Sequence, residues 1–271
     1  MLFSQALLAA TYQGGKYGKR TDEHEKAEFH RFKTEHLFKN KKIPEDLYVA
    51  RLIQHFVIIK AIETQLKGLE DKTPISAFFA LTYIEQLWRT SGIRADLEQL
   101  DVNVDEIKDH QIAPATQKYL SDIKQLPPKA LLAHFLMHVA GFMHGGNAII
   151  KRYIEPSNAL TNYQISTHQY DFSSIVSGGG SSLNVYNDMM KQMDTIELEE
   201  DEADEIQKQC TEVYSTMTSI YDDLCDMYTK QSKLPYYLVA VVTIGMIAIA
   251  WFFDVLSPIM NDTNSYNPRP G

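Results

Sequence analysis

The sequence predicts an all-α domain followed by a membrane tail, and three observations carry that reading. Pro44, Pro74, Pro114 and Pro128 each stand at or just before a run of apolar residues spaced three and four apart. Proline is tolerated in that position because the first helical N–H has no partner anyway. No run alternates polar with apolar residues over the length a strand needs. Residues 236–253 (YYLVAVVTIGMIAIAWFF) carry no charge at all. The bulk composition agrees: 271 residues, 44% hydrophobic and 23% charged, give room for one generous domain or two small ones around a proper core.

Taken in order, residues 1–10 are mildly apolar but lack a basic start and a long hydrophobic stretch, so they do not read as a signal peptide. After Pro44, Leu47, Ala50, Ile53, Val57 and Ile58 stripe one helix face, continued by Ile62 and Leu66. After Pro114, Tyr119, Leu120 and Ile123 do the same over a shorter span. Residues 129–154 form a long apolar helix broken at Gly145-Gly146 and ended by Glu155-Pro156. The polar stretch 157–182, with Gly178-Gly179-Gly180, reads as an extended loop, and two further helices follow over about 183–197 and 201–230. Between them the acidic run 197–205 favours a helix start and is expected to be solvated rather than a metal cage.

Charge and cysteine content exclude several classes. The formal charge of −9 opposes nucleic-acid binding, which needs a positive field to neutralise phosphates. Cys210 and Cys225 are too few for a disulfide framework and lack zinc-site spacing, which suits a reducing compartment. The charge-free tail would span roughly 27 Å as a helix, close to the hydrocarbon core of a bilayer. Tyr236, Tyr237 and Trp251 suit the two interfaces, and Lys230 and Lys233 lie on the side expected to face the cytoplasm. The expected layout is therefore a helical domain over 11–233, a transmembrane anchor over 234–256 and a short polar tail over 257–271. The chain would be single-pass and tail-anchored, with its body in the cytosol. Asn261-Asp262-Thr263 is a sequon too near the bilayer to carry weight.

Histidines and glycines are the candidates for chemistry. His24, His30 and His36 fall six apart and do not share a helix face, whereas His134 and His138, four apart, do. His134 is flanked by apolar residues and reads as a core histidine; His144 immediately precedes the glycine pair. A mid-helix glycine costs about 1 kcal/mol relative to alanine, so two together imply a demand. Close approach of a flat ligand and close helix–helix packing both meet it.

The order of short motifs resembles the heme oxygenase family, collinear from about Arg20 to Tyr228. His24-x-x-Ala27-Glu28 is similar to the family's proximal helix, whose histidine ligates heme iron. Ala61-Ile62-Glu63, Asp96-Leu97, and Pro114-Ala115 with Gln117-Lys118-Tyr119-Leu120 fall where similar segments are expected. Leu131-Leu132-Ala133-His134, then Gly141, then Gly145-Gly146-Asn147 reproduce the spacing of the kinked distal helix, and Met193-Asp194-Thr195-Ile196-Glu197 resembles a later helix end. The charge-free tail is similar to the anchor of animal members. The resemblance implies a heme oxygenase-like all-α fold that cleaves heme oxidatively to biliverdin, iron and carbon monoxide. Heme would be both cofactor and substrate, O2 the co-substrate, and an electron-donating reductase the partner. It implies His24 as iron ligand, Glu28 as the residue fixing its tautomer, and 138–147 as the distal wall, with Gly141, Gly145 and Gly146 against the porphyrin. Lys16, Lys19 and Arg20 stand where they could pair with the propionates.

The distal helix departs from the family pattern. An aspartate that usually follows the glycine equivalent to Gly141, and anchors the water that delivers protons, is here Phe142. An arginine is here His138, and a small serine is His144. Basic propionate clamps of the later helix are here Tyr186 and Met190, leaving Lys191 nearest. His138 or His144 is thus expected to organise water in place of the aspartate. The alternatives are a membrane-anchored heme binder without turnover, in which His144 reaches the iron; a non-heme di-iron oxidase using Glu28, Glu63, His134 and His138; and an interaction module that kept only the fold.

Overall fold

A computed structural model of the chain describes residues 1–15, 18–176, 181–199 and 201–228. It contains α1 (Phe3–Thr11), a two-residue hairpin of β1 (Tyr12–Gln13) and β2 (Lys19–Arg20), and α2 (Asp22–Glu28). A wide π turn at Phe32–Leu37 leads to α3 (Glu45–Lys67) and the short α4 (Ser76–Phe79). Then come α5 (Thr90–Glu98), α6 (Pro114–Asp122) and α7 (Pro128–Ala140). The last elements are α8 (Gly146–Ile149), α9 (Glu155–Asn158), α10 (Ser182–Met193) and α11 (201–228).

The all-α expectation holds, and the hairpin is its one small departure. Tyr12 pairs with Arg20 and Gln13 with Lys19, and the turn needs the positive φ of Gly14 (75°) and Gly15 (96°), which glycine adopts without a Cβ clash. Two-residue strands carry no alternation to read from sequence.

Helix α3 is the axis of the fold. Pro44 precedes it, Glu45 and Asp46 occupy its first turn and Lys67 its last, all with the macrodipole. Leu52, Ile53, Phe56, Ile58, Ile59, Ile62 and Leu66 are buried on more than one side, against α5, α6 and α7. Each such side chain stabilises by about 1.5–3 kcal/mol relative to exposure.

Three buried polar groups of α3 and α5 then fix the loops. Gln54 donates to the carbonyls of Ala50 and Gln111 and accepts from the Ala113 N–H, setting the start of α6. Glu63 accepts from the Arg89 and Thr90 N–H groups and so caps α5. Asp96, 1% exposed, accepts from Ser166 Oγ (2.6 Å), the N–H groups of His168 (2.8 Å) and Gln169 (2.9 Å), and His168 Nδ1 (2.9 Å).

The compact unit runs from Met1 to Leu224, earlier than the start at Thr11 expected from sequence. The reason is that Phe3, Ala6, Leu7 and Ala10 bury one face of α1, and Ser4 donates twice to Asp194 at 2.8 Å. A second unit, Cys225–Gly271, lies mostly outside the described residues. The expected anchor at 234–256 and polar tail at 257–271 fall there too. Among the described residues no helix is long and apolar enough to cross a membrane.

The long helix after Pro127 does not break at Gly145-Gly146 as expected. It continues through a π turn at Gly141–Gly145, one α turn (α8), a second π turn at Ile150–Ile154 and α9. Gly141, Gly145 and Gly146 all keep right-handed helical dihedrals. Nor does Glu155-Pro156 end it: the turn runs to Asn158, since Pro156 sits in the first turn of α9, where its missing N–H costs least.

Candidate functional site

His24 lies on α2, whose N-cap Thr21 accepts from the His24 N–H. Its ring stacks on Tyr214 of α11 (centroids 4.7 Å apart, planes 22°) and meets Tyr12 edge-on at 5.7 Å. Nδ1 stands 3.2 Å from the Thr11 carbonyl. A carbonyl only accepts, so the ring proton sits on Nδ1 and Nε2 keeps its lone pair. Burial lowers the pKa of His24, outweighing the Thr11 carbonyl and Glu28, so the ring is neutral at pH 7. Glu28, expected to fix the tautomer, lies 3.5 Å from Nε2 and is ion-paired with Arg20. Thr11 holds the tautomer instead.

The wall carrying Gly141 and Gly145 is bare. A Cβ built on either glycine meets nothing within 4 Å, whereas one on Gly146 would strike Tyr170 at 2.7–2.9 Å. The glycine demand therefore splits: Gly146 serves helix packing, while Gly141 and Gly145 leave a cradle free of side chains. His138 is one turn earlier and shares their face by spacing. His144 is exposed and meets Tyr186 edge-on at 4.5 Å. Burial pushes Tyr186 up to about 12 and raises Tyr214 as well, so both phenols keep their protons.

Behind the cradle the interior is polar. Phe142 is buried between His55 (5.8 Å) and Tyr170 (6.0 Å). Both ring nitrogens of His55 are buried without a hydrogen-bond partner, and the buried Arg51 guanidinium lies against Tyr170 and Tyr221. Burial, then Arg51 and His138, hold His55 well below the usual histidine range. Burial alone would raise Tyr221, yet Arg51 and Lys33 lower it, and Lys33 Nζ lies 5.4 Å from that ring.

His134 and His138 belong to one chain of contacts. Tyr119 Oη is 2.6 Å from His134 Nδ1 and 3.4 Å from His138 Nε2. His134 Nε2 is 3.0 Å from Gln209 Oε1, and Gln209 Nε2 donates to Glu205 at 2.8 Å. Burial lowers His134 to about 4 and His138 to about 3, so both are neutral.

The remaining expected residues scatter. Lys16 lies outside the described residues. Lys19 is exposed on β2; Arg20 is paired with Glu28 and lies over Phe29 at 5.5 Å; Lys191 is exposed beside Asp188 at 3.4 Å. The di-iron set does not assemble: Glu63 caps α5, Glu28 serves Arg20 and His134 serves Tyr119. Among the described residues no three His, Cys, Asp or Glu side chains gather as a metal site. Sequence reasoning missed Thr11, whose part is played by a backbone atom and leaves no residue signature. It also missed Arg51, His55, Tyr214 and Tyr221. The two tyrosines sit seven apart on α11, and that spacing was the available signal.

A helical domain that offers a neutral histidine lone pair on one helix and a bare glycine wall on another has the parts that a flat, metal-centred ligand would need. The heme oxygenase family profile matches residues 18–223, and the chain belongs to the heme oxygenase family, a family of heme-degrading enzymes. Solved structures agree on the fold. Heme oxygenase-2 from Synechocystis sp. PCC 6803, in complex with heme and NO, is 21% identical at a TM-score of 0.69, covering 84% of this chain and 86% of its own. Heme oxygenase-1 from the same cyanobacterium, in complex with heme, is 18% identical at 0.68, covering 89% and 100%. Heme oxygenase from Leptospira interrogans is 18% identical at 0.62, covering 82% and 98%. No curated protein matches the chain.

Proposed function

We propose that the chain cleaves heme to biliverdin, iron and carbon monoxide, using O2 and electrons from a reductase. The observation that carries this reading is the cradle at Gly141 and Gly145, combined with a His24 ring whose Nε2 is unprotonated. Bound heme would supply the redox iron and be the molecule consumed. His24 would hold the iron through Nε2, and the Thr11 carbonyl keeps the proton on Nδ1 so that the lone pair is always presented. Gly141 and Gly145 admit a planar ring against backbone. Tyr214 stacks on the His24 ring and Tyr186 meets His144 edge-on, so aromatic faces would flank the ligand. Lys19 and Lys191 are exposed cations that could pair with the ligand's solvent-facing carboxylates, Lys191 by leaving Asp188. We further propose tail anchoring in a membrane with the domain facing the cytoplasm, which rests on the uncharged run 236–253.

The test is the full-length chain mixed with hemin, then with a reductant and air. A Soret band that decays as bilin absorption grows is expected. His24→Ala should lose the wild-type iron coordination spectrum. A stable Soret band would make the protein a binder without turnover, the reading that Phe142 favours because its ring can neither accept nor relay a proton.

A further inference from the structure

The contacts between His138 and the surface have a direction, which follows from which atoms can donate. Glu205 is an exposed carboxylate whose pKa is lowered chiefly by the Gln209 amide, so it only accepts. The Gln209 NH2 therefore points to Glu205, and its carbonyl oxygen faces His134. A carbonyl oxygen requires a donor, which puts the His134 proton on Nε2. His134 is neutral, so Nδ1 holds a lone pair and Tyr119 must donate its hydroxyl proton to it over 2.6 Å. The Tyr119 oxygen is then left as acceptor for His138 Nε2–H. His138 is neutral as well, so its Nδ1 has no proton.

We infer that Tyr119, His134, Gln209 and Glu205 are positioning residues that lock His138 as the Nε2–H tautomer, so that its Nδ1 offers a water-anchoring lone pair beside the glycine cradle. His138 is largely but not fully buried, whereas His134 is fully buried, and it stands one turn before Gly141. A neutral imidazole acceptor there does what a carboxylate would do, orienting a water by accepting its proton, at a place where Phe142 has none to offer. This rests on the heme-cleavage reading for its use, but not for its geometry.

The two are tested separately. In the ligand-free full-length chain, two-bond 15N–1H correlations are expected to put the His138 proton on Nε2. Gln209→Lys replaces the accepting oxygen by a donor and reverses every step, moving the His138 proton to Nδ1. Glu205→Gln still accepts and keeps the wild-type tautomer. A wild-type His138 protonated on Nδ1, or one that ignores Gln209→Lys, overturns the inference even if heme is cleaved. With hemin bound, Tyr119→Phe is expected to slow turnover by about tenfold to a hundredfold at unchanged hemin affinity, the scale of a misplaced proton-handling group. Undiminished turnover in Tyr119→Phe also overturns it. A wild-type chain with the expected tautomer that never cleaves hemin defeats the heme-cleavage reading, and with it the water-anchoring role, leaving the tautomer lock standing.

Discussion

Three glycines in six residues, all helical in their backbone, have two different reasons to exist. Gly146 is filled from outside by Tyr170, so Gly146→Ala places a methyl group 2.7–2.9 Å from three side-chain atoms of a buried tyrosine. Overpacking of that kind costs about 1–3 kcal/mol, and a lowered urea midpoint should report it. Gly141 and Gly145 face open space instead. Gly141→Leu is expected to keep the circular dichroism spectrum and not to lower the urea midpoint, since removing a helical glycine that meets no neighbour gains up to about 1 kcal/mol. It should nonetheless lower hemin affinity at least tenfold by filling the cradle. A Gly141→Leu protein that binds hemin normally would remove the cradle from the site. Sequence showed that the glycines mattered; only the neighbours of each absent Cβ separate packing from access. The same holds for His24, whose role as candidate ligand was legible, while the carbonyl that sets its tautomer was not.

At the scale of elements, the motifs that made the family legible are mostly fastenings. Glu63 caps α5, and Asp96 gathers the loop 166–169 with four hydrogen bonds. Gly92, one turn before Asp96, lets that loop approach α5, since a Cβ there would stand 2.8 Å from the His168 carbonyl oxygen. Asp96→Ala leaves buried donors unpaired and should destabilise by about 3 kcal/mol or more in urea unfolding. Because the loop ends in Tyr170, which packs on Gly146 and Phe142, hemin affinity should fall with it. A loss below about 1 kcal/mol would mean that the loop is held by something else. Helix starts were readable because proline and charge mark them locally. The π turns at Gly141–Gly145 and Ile150–Ile154 were not, because a widened turn keeps helical composition and nearly helical spacing.

For the molecule as a whole, the buried histidines set the response to acid. His134 and His138, lowered to about 4 and about 3, stay neutral in the fold, while an unfolded histidine titrates near 6.5. Between those values the unfolded state binds the extra protons, so stability rises with pH through the window and is lost as pH falls below about 6.5. From pH 6.5 to pH 5 each histidine should remove about 1.6 kcal/mol. Burial lowers His24, His30 and His55 too, and they add to the same slope, whereas carboxylates such as Glu202 and Glu205, held below the usual range by Lys129 and Gln209, titrate in more acid solution. The net charge of −9 also relaxes there, and that relief of repulsion has the opposite sign. Urea midpoints measured at pH 7, 6 and 5 should therefore fall steeply in wild type. His134→Gln with His138→Gln should start lower at pH 7 yet fall much less, since glutamine binds no proton. Equal slopes in the two proteins would show that neither imidazole is held neutral by its burial, and that the packing around Tyr119 opens to water before the fold is lost.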